Sequence, residues 1–455
     1  MTAPLLRVDG LAVSYAAGRR LAARRTAVEG VSLELDRGEV LALVGESGSG
    51  KTTIGQSIIG LLPEGGRVDA GAIELQVAGK PLDLTRLPAR AVQELRGRRI
   101  ALVPQDPGTS LNPVQTIGAS VAAPLRIHRW GTQEAIRRRV IELLDRVGLD
   151  DPERRARQHP HELSGGMRQR ALIAAAIALE PDLIVADEPT SALDVTVQRR
   201  ILDLLDELRA ELGSSVLLIT HDLAVAAERA DRIAVLRQGA LEEAGPAREV
   251  LRTPAAAYTR ELLADAPALQ DVAPRPARPE AAPLVVVDGL VHEYGRGRTA
   301  FRAVDEVGFR IEAGTTHALV GESGSGKTTI GRAVAALHAP AAGTIRIGGR
   351  DVLAAGRDRS IRRVVQLVSQ DPYASLDPRR TIAQTIGEPL RNWRPSEGGV
   401  RDRREARPPR RRRARPGGAA RRARRPAPLR ALGRPAAARR HRPGAHHRAA
   451  GGGAR

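Results

Sequence analysis

Two identical segments carry the residue types that bind phosphate groups. The sequence ALVGESGSGKTTIG occupies residues 42–55 and returns at residues 318–331. Its glycines let successive backbone N–H groups point into one concavity, and the positive end of a following helix favours an anion there. Its lysine adds a full positive charge, and the next threonine offers a hydroxyl group to Mg²⁺. Each copy therefore predicts a buried strand, a phosphate-binding loop and a helix.

We predict nucleotide contacts at the same positions of both loops. They are Gly45, Glu46, Ser47, Gly48, Ser49, Gly50, Lys51, Thr52 and Thr53 in the first loop, and Gly321, Glu322, Ser323, Gly324, Ser325, Gly326, Lys327, Thr328 and Thr329 in the second. Thr52 and Thr328 are the predicted Mg²⁺ ligands among them. Upstream, Tyr15 and Tyr294 end the related strands VDGLAVSY and VDGLVHEY and are placed to stack on a purine ring. One such tyrosine alone would be expected only to pack at a strand edge, and the paired placement favours stacking.

Acidic and imidazole side chains follow two further apolar runs. LIVADE ends at Asp187 and Glu188, and VLLIT leads to His221. Ligands of α/β sheets bind beyond the carboxyl ends of parallel strands, so we predict that Asp187 holds Mg²⁺ and that Glu188 orients or deprotonates the attacking water. His221 is predicted to contact the γ-phosphate and this water. A strand-end histidine alone is most often structural, so the prediction rests on the whole set.

Two related segments place a glutamine after a strand. IALVPQDPGTSLNP occupies residues 100–113, and VQLVSQDPYASLDP occupies residues 365–378. Gln105 and Gln370 are thereby placed to reach a metal ion or its bound water, while the loop behind them follows a moving partner. Hydrogen bonding within the loop is the alternative for either glutamine taken alone.

Two helix starts complete the set of candidate residues. HELSGGM puts Ser164, Gly165 and Gly166 at the beginning of a long helix, which is a second anion-binding geometry. The same pattern also fits a simple N-cap. SALD makes a turn into another helix at Asp194, which we count among the nucleotide-binding residues.

Composition excludes several other kinds of site. The chain has 455 residues, enough for two or three domains, and it has no cysteine, which excludes disulfides, thiolate zinc sites and a cysteine nucleophile and fits a cytosolic protein. Its apolar runs are far shorter than the roughly 18 residues of a membrane span, and residues 1–10 lack the apolar core expected of a secretory signal. The net charge is +20, but 20 Arg against Asp402 and Glu405 place +18 of it after residue 400. The rest is nearly neutral, so no specific nucleic acid is expected as a partner.

Together these motifs resemble the nucleotide-binding subunit of an ATP-binding cassette (ABC) transporter. They correspond to the phosphate loop, the Q-loop at Gln105, the signature LSGGM at Leu163–Met167, the Walker B acids Asp187 and Glu188, the D-loop SALD and the H-loop at His221. The segments QDPGTSLNP, HELSGGMRQR, ADEPTSALDVTVQ and PAAAYTRELLAD are similar to the dipeptide and oligopeptide importer ATPases. The fusion of two halves resembles the single-chain members of that group.

The resemblance implies an α/β fold with two tandem nucleotide-binding domains, each with a P-loop core, an antiparallel β subdomain and a helical subdomain. It implies an ATPase that uses ATP and Mg²⁺, with domains paired head to tail so that the phosphate loop of one faces the signature of the other. It also implies integral-membrane permease subunits and a solute-binding protein as partners, and a peripheral location on the cytoplasmic side of the inner membrane. The solute stays open among dipeptides, longer peptides, glutathione and metal chelates.

The resemblance, together with composition along the chain, implies four segments. They are a complete first ATPase domain at residues 1–264, a Pro/Ala-rich linker at 265–283, the N-terminal part of a second ATPase domain at 284–400, and a disordered Arg-rich tail at 401–455. The tail carries no second signature, Walker B or H-loop motif. Codons for residues 428–445, read from their second base, are compatible with PSELSGGQRQRVAIARAL, a family-type signature helix. We therefore predict a frameshift, testable on the gene's nucleotide sequence, that leaves second-half hydrolysis defective.

Two functions from other classes stay open at this level. A soluble cassette ATPase could act on DNA or ribosomes, although the chain lacks zinc-type cysteine pairs and a long coiled-coil insertion. The basic tail alone would fit a non-enzymatic protein that binds nucleic acid or acidic lipids. The importer-like loops favour transport over both.

Overall fold

The computed structural model describes residues 3–16, 24–191, 193–266, 282–295, 300–322, 324–352, 364–369 and 375–392. The chain divides into two compact units. Met1–Pro283 and Ile311–Lys327 make up the first unit, and Leu284–Arg310 and Thr328–Arg455 make up the second. Each unit is described by itself below.

Two sheets organise the first half of the chain. Their strands are β1 (Leu6–Ala16), β2 (Arg24–Leu35), β3 (Val40–Val44), β4 (Gly66–Val77), β5 (Lys80–Asp83), β6 (Ile100–Val103), β7 (Leu183–Asp187), β8 (Ser215–Ile219), β9 (Arg232–Arg237) and β10 (Ala240–Pro246). The larger sheet has the order β10-β9-β3-β8-β7-β6, in which β10 pairs antiparallel with β9 and the remaining pairs are parallel. Strands β3, β7 and β8 are buried at every position, as short apolar runs covered on both faces require. Their carboxyl ends therefore meet at one edge of the sheet.

The smaller sheet is antiparallel and has the order β2-β1-β4-β5. In β1 the buried Leu6 and Val8 alternate with the exposed Arg7 and Asp9, which is the period of two that one covered face produces. The buried face belongs to the same apolar cluster as residues of β3 and of the helix after it. The strands predicted at residues 8–15, 183–188 and 216–220 and the hairpin predicted at 233–245 are all confirmed.

Helices cover the parallel sheet and form a separate helical layer. Those of the first half are α1 (Lys51–Ile58), α2 (Ala89–Leu95), α3 (Pro107–Ser110), α4 (Ile117–Ile127), α5 (Gln133–Arg146), α6 (Pro152–Arg157), α7 (Gly165–Ala176), α8 (Val195–Leu212), α9 (Leu223–Arg229), α10 (Ala247–Arg252) and α11 (Ala257–Ala264), with 3₁₀ turns at Leu84–Arg86 and Pro160–Glu162. Helices α4 to α7 pack against one another. The side chains of Thr116, Thr132, Ser164 and Asp194 cap α4, α5, α7 and α8 by accepting a backbone N–H. No helix in the described part of the chain combines the length and apolarity that a membrane span requires.

The second half repeats the beginning of this arrangement. Strands β11 (Pro283–Tyr294), β12 (Phe301–Glu312), β13 (Ala342–Ile347) and β14 (Arg350–Asp351) form a sheet in the order β12-β11-β13-β14. The helices are α12 (Lys327–Val334), α13 (Ile382–Ile386) and α14 (Glu388–Asn392). Val287, Leu290 and Ile345 of the sheet pack with Ile330 of α12 in one apolar cluster.

Two strands predicted in the second half do not form. Ala318–Val320 and Val365–Ser369 have no regular secondary structure, and Val320 is 91% exposed. In the first half the same three residues as in Ala318–Val320 occupy Ala42–Val44 and lie in β3. This strand is hydrogen-bonded to β8 on one edge and to β9 on the other. Residues 401–455 contain no apolar run comparable to β7 or β8, so their sequence offers no counterpart of these neighbouring strands. A strand without a neighbour leaves its N–H and C=O groups to water and gains nothing from pairing.

Some predicted features lie outside the described residues. They are Ser323, Gln370, residues 267–281 of the linker and the whole tail at 401–455. Their predicted roles, the frameshift and the domain boundaries drawn through them stay predictions.

The two identical segments allow a direct test by hydrogen–deuterium exchange. We expect the amides of Ala42–Val44 to exchange at least about 100-fold more slowly than those of Ala318–Val320, because only β3 is paired on both edges. Mass spectrometry can separate the copies, since peptides that include Leu41 differ in mass from those that include His317. Equal protection of the two segments would show that the explanation by missing neighbours is wrong.

Candidate functional site

The phosphate loop of the first half connects β3 to α1. Gly45, Gly48 and Gly50 have positive φ angles of 144°, 82° and 101°. A Cβ atom at Gly45 would lie 2.1 Å from the carbonyl oxygen of Leu236, and one at Gly50 would lie 2.7 Å from that of Ala27. Only glycine fits these two positions, in conformation and in space. The loop thus packs closely against β9 on one side and β2 on the other.

The Lys51 side chain spans the inside of this loop. Its ammonium group is buried and donates hydrogen bonds to the carbonyl oxygens of Gly45 at 2.8 Å and Glu46 at 2.9 Å. Burial lowers the pKa of Lys51, while the nearby carboxylates of Glu188 and Asp187 oppose that change. A buried cation held by main-chain oxygens is suited to exchange them for the charged oxygens of a phosphate group.

Thr52 and Asp187 bring the candidate metal-binding atoms together. Asp187 is the last residue of β7, and the Thr52 hydroxyl donates to its Oδ1 over 3.1 Å. Burial raises the pKa of Asp187, with the hydrogen bond from Thr52 and the charge of Lys51 acting against the rise. An ionised carboxylate at this position is therefore unfavourable until a cation compensates it.

Glu188 joins two further predicted residues. Its Oε2 accepts a hydrogen bond from Gln105 Nε2 at 2.6 Å, and its Oε1 lies 2.9 Å from His221 Nδ1. Its φ angle of +44° is in the left-handed region that non-glycine residues seldom adopt, and its backbone N–H donates to Ile219 of β8. Such a conformation costs about 1 kcal/mol or more and is retained where the surroundings enforce it. The turn after β7 thus aims this carboxylate at the ends of the two neighbouring strands, β6 and β8.

A cavity of about 220 Å³ opens beside these groups. Thr52, Gln105 and Asp187 line it together with residues that follow β6. Hydroxyl, amide and carboxylate oxygens are the ligands that Mg²⁺ prefers. Across the described ranges no group of three or more His, Cys, Asp or Glu is placed to hold a metal ion. The protein would therefore supply one carboxylate and neutral oxygens, and phosphate oxygens and water would complete the shell, as is usual for Mg²⁺.

The two predicted stacking tyrosines lie beside their phosphate loops. The Tyr15 hydroxyl is 3.3 Å from Oγ1 of Thr53, and the Tyr294 hydroxyl is 3.2 Å from Oγ1 of Thr329. Both threonines belong to the first turn of the helix that follows the loop. This places an aromatic ring next to each loop, and stacking on a purine stays a prediction.

The second phosphate loop keeps the local geometry of the first. Lys327 Nζ donates to the carbonyl oxygens of Gly321 at 2.8 Å and Glu322 at 2.6 Å, as Lys51 does in the first copy. Its surroundings differ, because a Cβ at Gly331 would meet no atom of the described residues within 4 Å, whereas one at the equivalent Gly55 would lie 2.7 Å from Ile219. The remaining described members of this predicted site are Gly324, Ser325, Gly326 and Thr328.

The signature residues stand apart from this group. Ser164 is exposed and caps α7 by accepting the N–H three residues further on. Gly165 is exposed as well, and Gly166 is buried because Val197 of α8 lies 2.5 Å from where its Cβ would be. Among the described hydrogen bonds, those that link the phosphate loop, Q-loop and H-loop residues do not include residues 164–166. Asp194 caps α8 by accepting the N–H of Val197 at 3.0 Å.

The sequence analysis missed how the first loop is supported. The Gly239 N–H, in the turn between β9 and β10, donates to the Ser49 carbonyl oxygen over 3.0 Å, and Leu236 abuts Gly45. The sequence analysis also did not predict that Glu188 contacts both Gln105 and His221. The contacts of this turn with the loop are made by main-chain atoms, so the side-chain types of its residues gave no signal.

The fit at Gly45 predicts a position-specific effect of alanine. Gly45→Ala should weaken ATP binding at least about tenfold, since the added Cβ collides with the Leu236 carbonyl group. Gly48→Ala is the matched control, because Gly48 also has a positive φ but has no atom within 4 Å of an added Cβ. Isothermal titration calorimetry in a Lys327→Ala background measures binding to the first loop. Equal losses in the two variants would contradict the steric explanation.

The buried carboxylate predicts a gain in stability when its charge is removed. The pKa of Asp187 is raised in the folded protein, so its ionised form reduces the free energy of unfolding at neutral pH. Asp187→Asn should therefore unfold at higher urea concentration near pH about 7.5, and the gain should disappear below pH about 3, where the carboxyl is protonated in both states. The exposed Glu64 provides the control, Glu64→Gln. A gain that does not change with pH would rule out a charge effect.

Comparisons with known proteins agree with this architecture. A family model described as ABC transporter matches residues 28–191 and again residues 304–441. The peptidoglycan transport ATP-binding protein YejF of Agrobacterium fabrum is 41% identical over 401 residues, which covers 86% of this chain and 71% of the relative. The glutathione import ATP-binding protein GsiA of Escherichia coli is 39% identical over 422 residues, covering 85% of this chain and 67% of the relative. The oligopeptide transport ATP-binding protein OppD of Mycobacterium tuberculosis is 38% identical over 472 residues, covering 85% and 76%.

Solved structures are also similar to part of the chain, as one example shows. The dimeric cassette MJ0796 bound to ADP and phosphate is 31% identical, and the match covers 53% of this chain and 99% of that chain with a TM-score of 0.47. The two ranges that the family model matches include both phosphate loops, and the first also includes Gln105, Ser164, Asp187 and Glu188. With more than half of the sequence matched, the chain belongs to the ABC transporter family and is one of its ATPases.

Proposed function

We propose that this chain is the ATP-binding and ATP-hydrolysing subunit of an importer of dipeptides, oligopeptides or similar small solutes. The observation that carries the proposal is the position of the Glu188 carboxylate. It lies between Gln105 and His221 and directly follows the buried Asp187, which holds Thr52 of the phosphate-loop helix. A candidate base, a candidate metal ligand and a phosphate loop thus share one edge of the sheet.

The arrangement supports attack of water on the γ-phosphate without a covalent intermediate. Lys51 would exchange its main-chain partners for phosphate oxygens, and the N-terminus of α1 would add its positive end. Thr52, Asp187 and Gln105 would hold Mg²⁺, which when bound neutralises charge on the phosphate oxygens. Glu188 would orient the attacking water or take its proton. Gln105 is hydrogen-bonded to Glu188, so a turn of Gln105 towards a bound metal ion would release that carboxylate.

A complete site would need a second domain. Ser164 and the helix start behind it are exposed and lie outside the hydrogen-bonded group around Glu188. An exposed helix N-terminus with a serine is suited to close over phosphate groups held by another domain. We therefore infer head-to-tail pairing in which the phosphate loop of one domain faces Ser164–Gly166 of the other, with Asp194 near the same boundary.

The second half of these 455 residues supports binding better than hydrolysis. It has a phosphate loop with Lys327 in place, but no residues that correspond to Glu188, His221 or the signature. Within one chain, either composite site would lack an essential part. The first halves of two chains would together provide two complete sites, so hydrolysis is proposed to require two chains. The frameshift proposed for residues 401–455 would account for the missing motifs.

The relatives support import as the purpose of hydrolysis. Their names assign them to peptidoglycan transport, glutathione import and oligopeptide transport. By analogy, we propose permease subunits in the membrane and a solute-binding protein as partners, and a peripheral position on the cytoplasmic face of the inner membrane. None of these relatives is described as acting on DNA or ribosomes, so the sequence-level alternatives are not favoured.

Head-to-tail pairing predicts rescue between two inactive chains. One chain carries Lys51→Ala and Lys327→Ala and keeps Ser164, and the other carries Ser164→Arg and keeps Lys51. Each alone should release phosphate at the background rate. In an equimolar mixture half of the pairs are mixed and hold one complete site, so about a quarter of the parent rate is expected.

A triple variant serves as the control, and the dependence of the rate on protein concentration gives a second test of pairing. A third chain that carries all three substitutions should give no rescue with either partner. The parent rate should rise more steeply than the protein concentration until pairs are saturated, because association precedes turnover. An active parent whose rate is proportional to concentration, or a mixture without rescue, would contradict pairing of two chains.

A further inference from the structure

The last helix of the first half, α11, has no part in the chemistry proposed above. It lies in the segment PAAAYTRELLAD and begins after Ala256, whose side chain cannot cap it. Instead, Glu243 of β10 accepts hydrogen bonds from the backbone N–H groups of Ala255 at 2.8 Å and Ala256 at 3.1 Å. A carboxylate at a helix N-terminus is favourable in both hydrogen bonding and charge. These hydrogen bonds therefore attach the start of α11 to the β9–β10 hairpin.

Tyr258 of this helix packs beside the strand that leads into the phosphate loop. It is 3% exposed and shares an apolar cluster with Ala42 and Val44 of β3. The guanidinium carbon of Arg237, at the end of β9, lies 4.6 Å from the centre of the Tyr258 ring. The Tyr258 hydroxyl lies next to the backbone of Glu46 but makes no hydrogen bond of standard geometry among the described residues. A buried hydroxyl without such a bond is unfavourable and calls for an explanation.

The main chain of Glu46 is also a partner of Lys51. Its carbonyl oxygen accepts hydrogen bonds from the Lys51 ammonium group at 2.9 Å and, within the loop, from the Ser49 N–H at 3.2 Å. If Lys51 turned to phosphate oxygens, only the bond from Ser49 would remain of these two. The Gly239 N–H holds the loop at the Ser49 carbonyl group, three residues away, and Tyr258 is a side chain from outside the loop that is placed to keep the Glu46 main chain in position.

We propose that Tyr258 is a positioning residue for the phosphate loop. Through Tyr258, the packing of α11 against the first half would affect how tightly the loop binds ATP. The inference rests on the proposed function, because it assumes that the loop at residues 45–53 binds ATP. The contacts form a continuous series. Glu243 accepts hydrogen bonds from the start of α11, and Tyr258 of α11 packs against β3 and Arg237. The Tyr258 hydroxyl lies beside the loop at Glu46.

The test compares two substitutions of the tyrosine in the full chain, in a Lys327→Ala background. Tyr258→Phe removes only the hydroxyl, and Tyr258→Ala removes the ring as well. Binding of the non-hydrolysable analogue AMP-PNP with Mg²⁺ is measured by isothermal titration calorimetry. We expect the dissociation constant to rise about threefold for the first variant and about tenfold for the second. The rate of hydrolysis at saturating ATP should stay within about a factor of two of the parent rate, because Tyr258 touches no reacting group.

Val250→Ala separates positioning from general loosening of the core. Val250 is 3% exposed and belongs to the same apolar cluster, so its truncation weakens the packing of that cluster. We expect its AMP-PNP affinity to match the parent's. A Tyr258→Phe variant with unchanged affinity would overturn the inference even if Tyr258→Ala does not fold, and so would a Val250→Ala variant that loses as much affinity as the tyrosine variants. A parent that does not bind AMP-PNP would instead reject the proposed function, and the inference with it.

Discussion

Parallel pairing of β3, β8, β7 and β6 places the side chains of the site next to one another. Each strand ends at the same edge of the sheet, and a candidate functional residue follows within two positions of each end. Because β7 lies between β8 and β6, Glu188 can contact both His221 and Gln105, although these residues are far apart in the chain. The order of strands decides which side chains meet.

The second half shows what happens without this pairing. The loop and helix of the repeated segment adopt the same local form, down to the hydrogen bonds of Lys327. The apolar residues before the loop are nevertheless exposed and irregular. Helix and loop hydrogen bonds are made within a few residues, whereas a parallel strand depends on partners from distant parts of the chain. The repeated sequence therefore forms the same loop in both copies, but it forms the preceding strand only in the first.

The site is assembled at a cost in stability. Asp187 is buried with a raised pKa, Lys51 is buried with a lowered pKa, and Glu188 has a left-handed backbone conformation. Each of these is unfavourable, and a bound cation and phosphate would supply charges that compensate the buried Asp187 and Lys51. Strands β3, β7 and β8, which are buried at every position, hold these residues in place.

The repeat, the glycine loops, the apolar runs and the acidic pair after β7 were readable from the sequence, because each depends on the types and spacing of nearby residues. They predicted the α/β architecture, most strands of the first half and the identity of the candidate site residues. The bonds from Gln105 and His221 to Glu188, the support of Gly45 by Leu236 and the packing of Tyr258 beside β3 came only from the tertiary structure. So did the failure of Ala318–Val320 to form a strand. These features depend on which distant segments meet in space, and local sequence does not encode that.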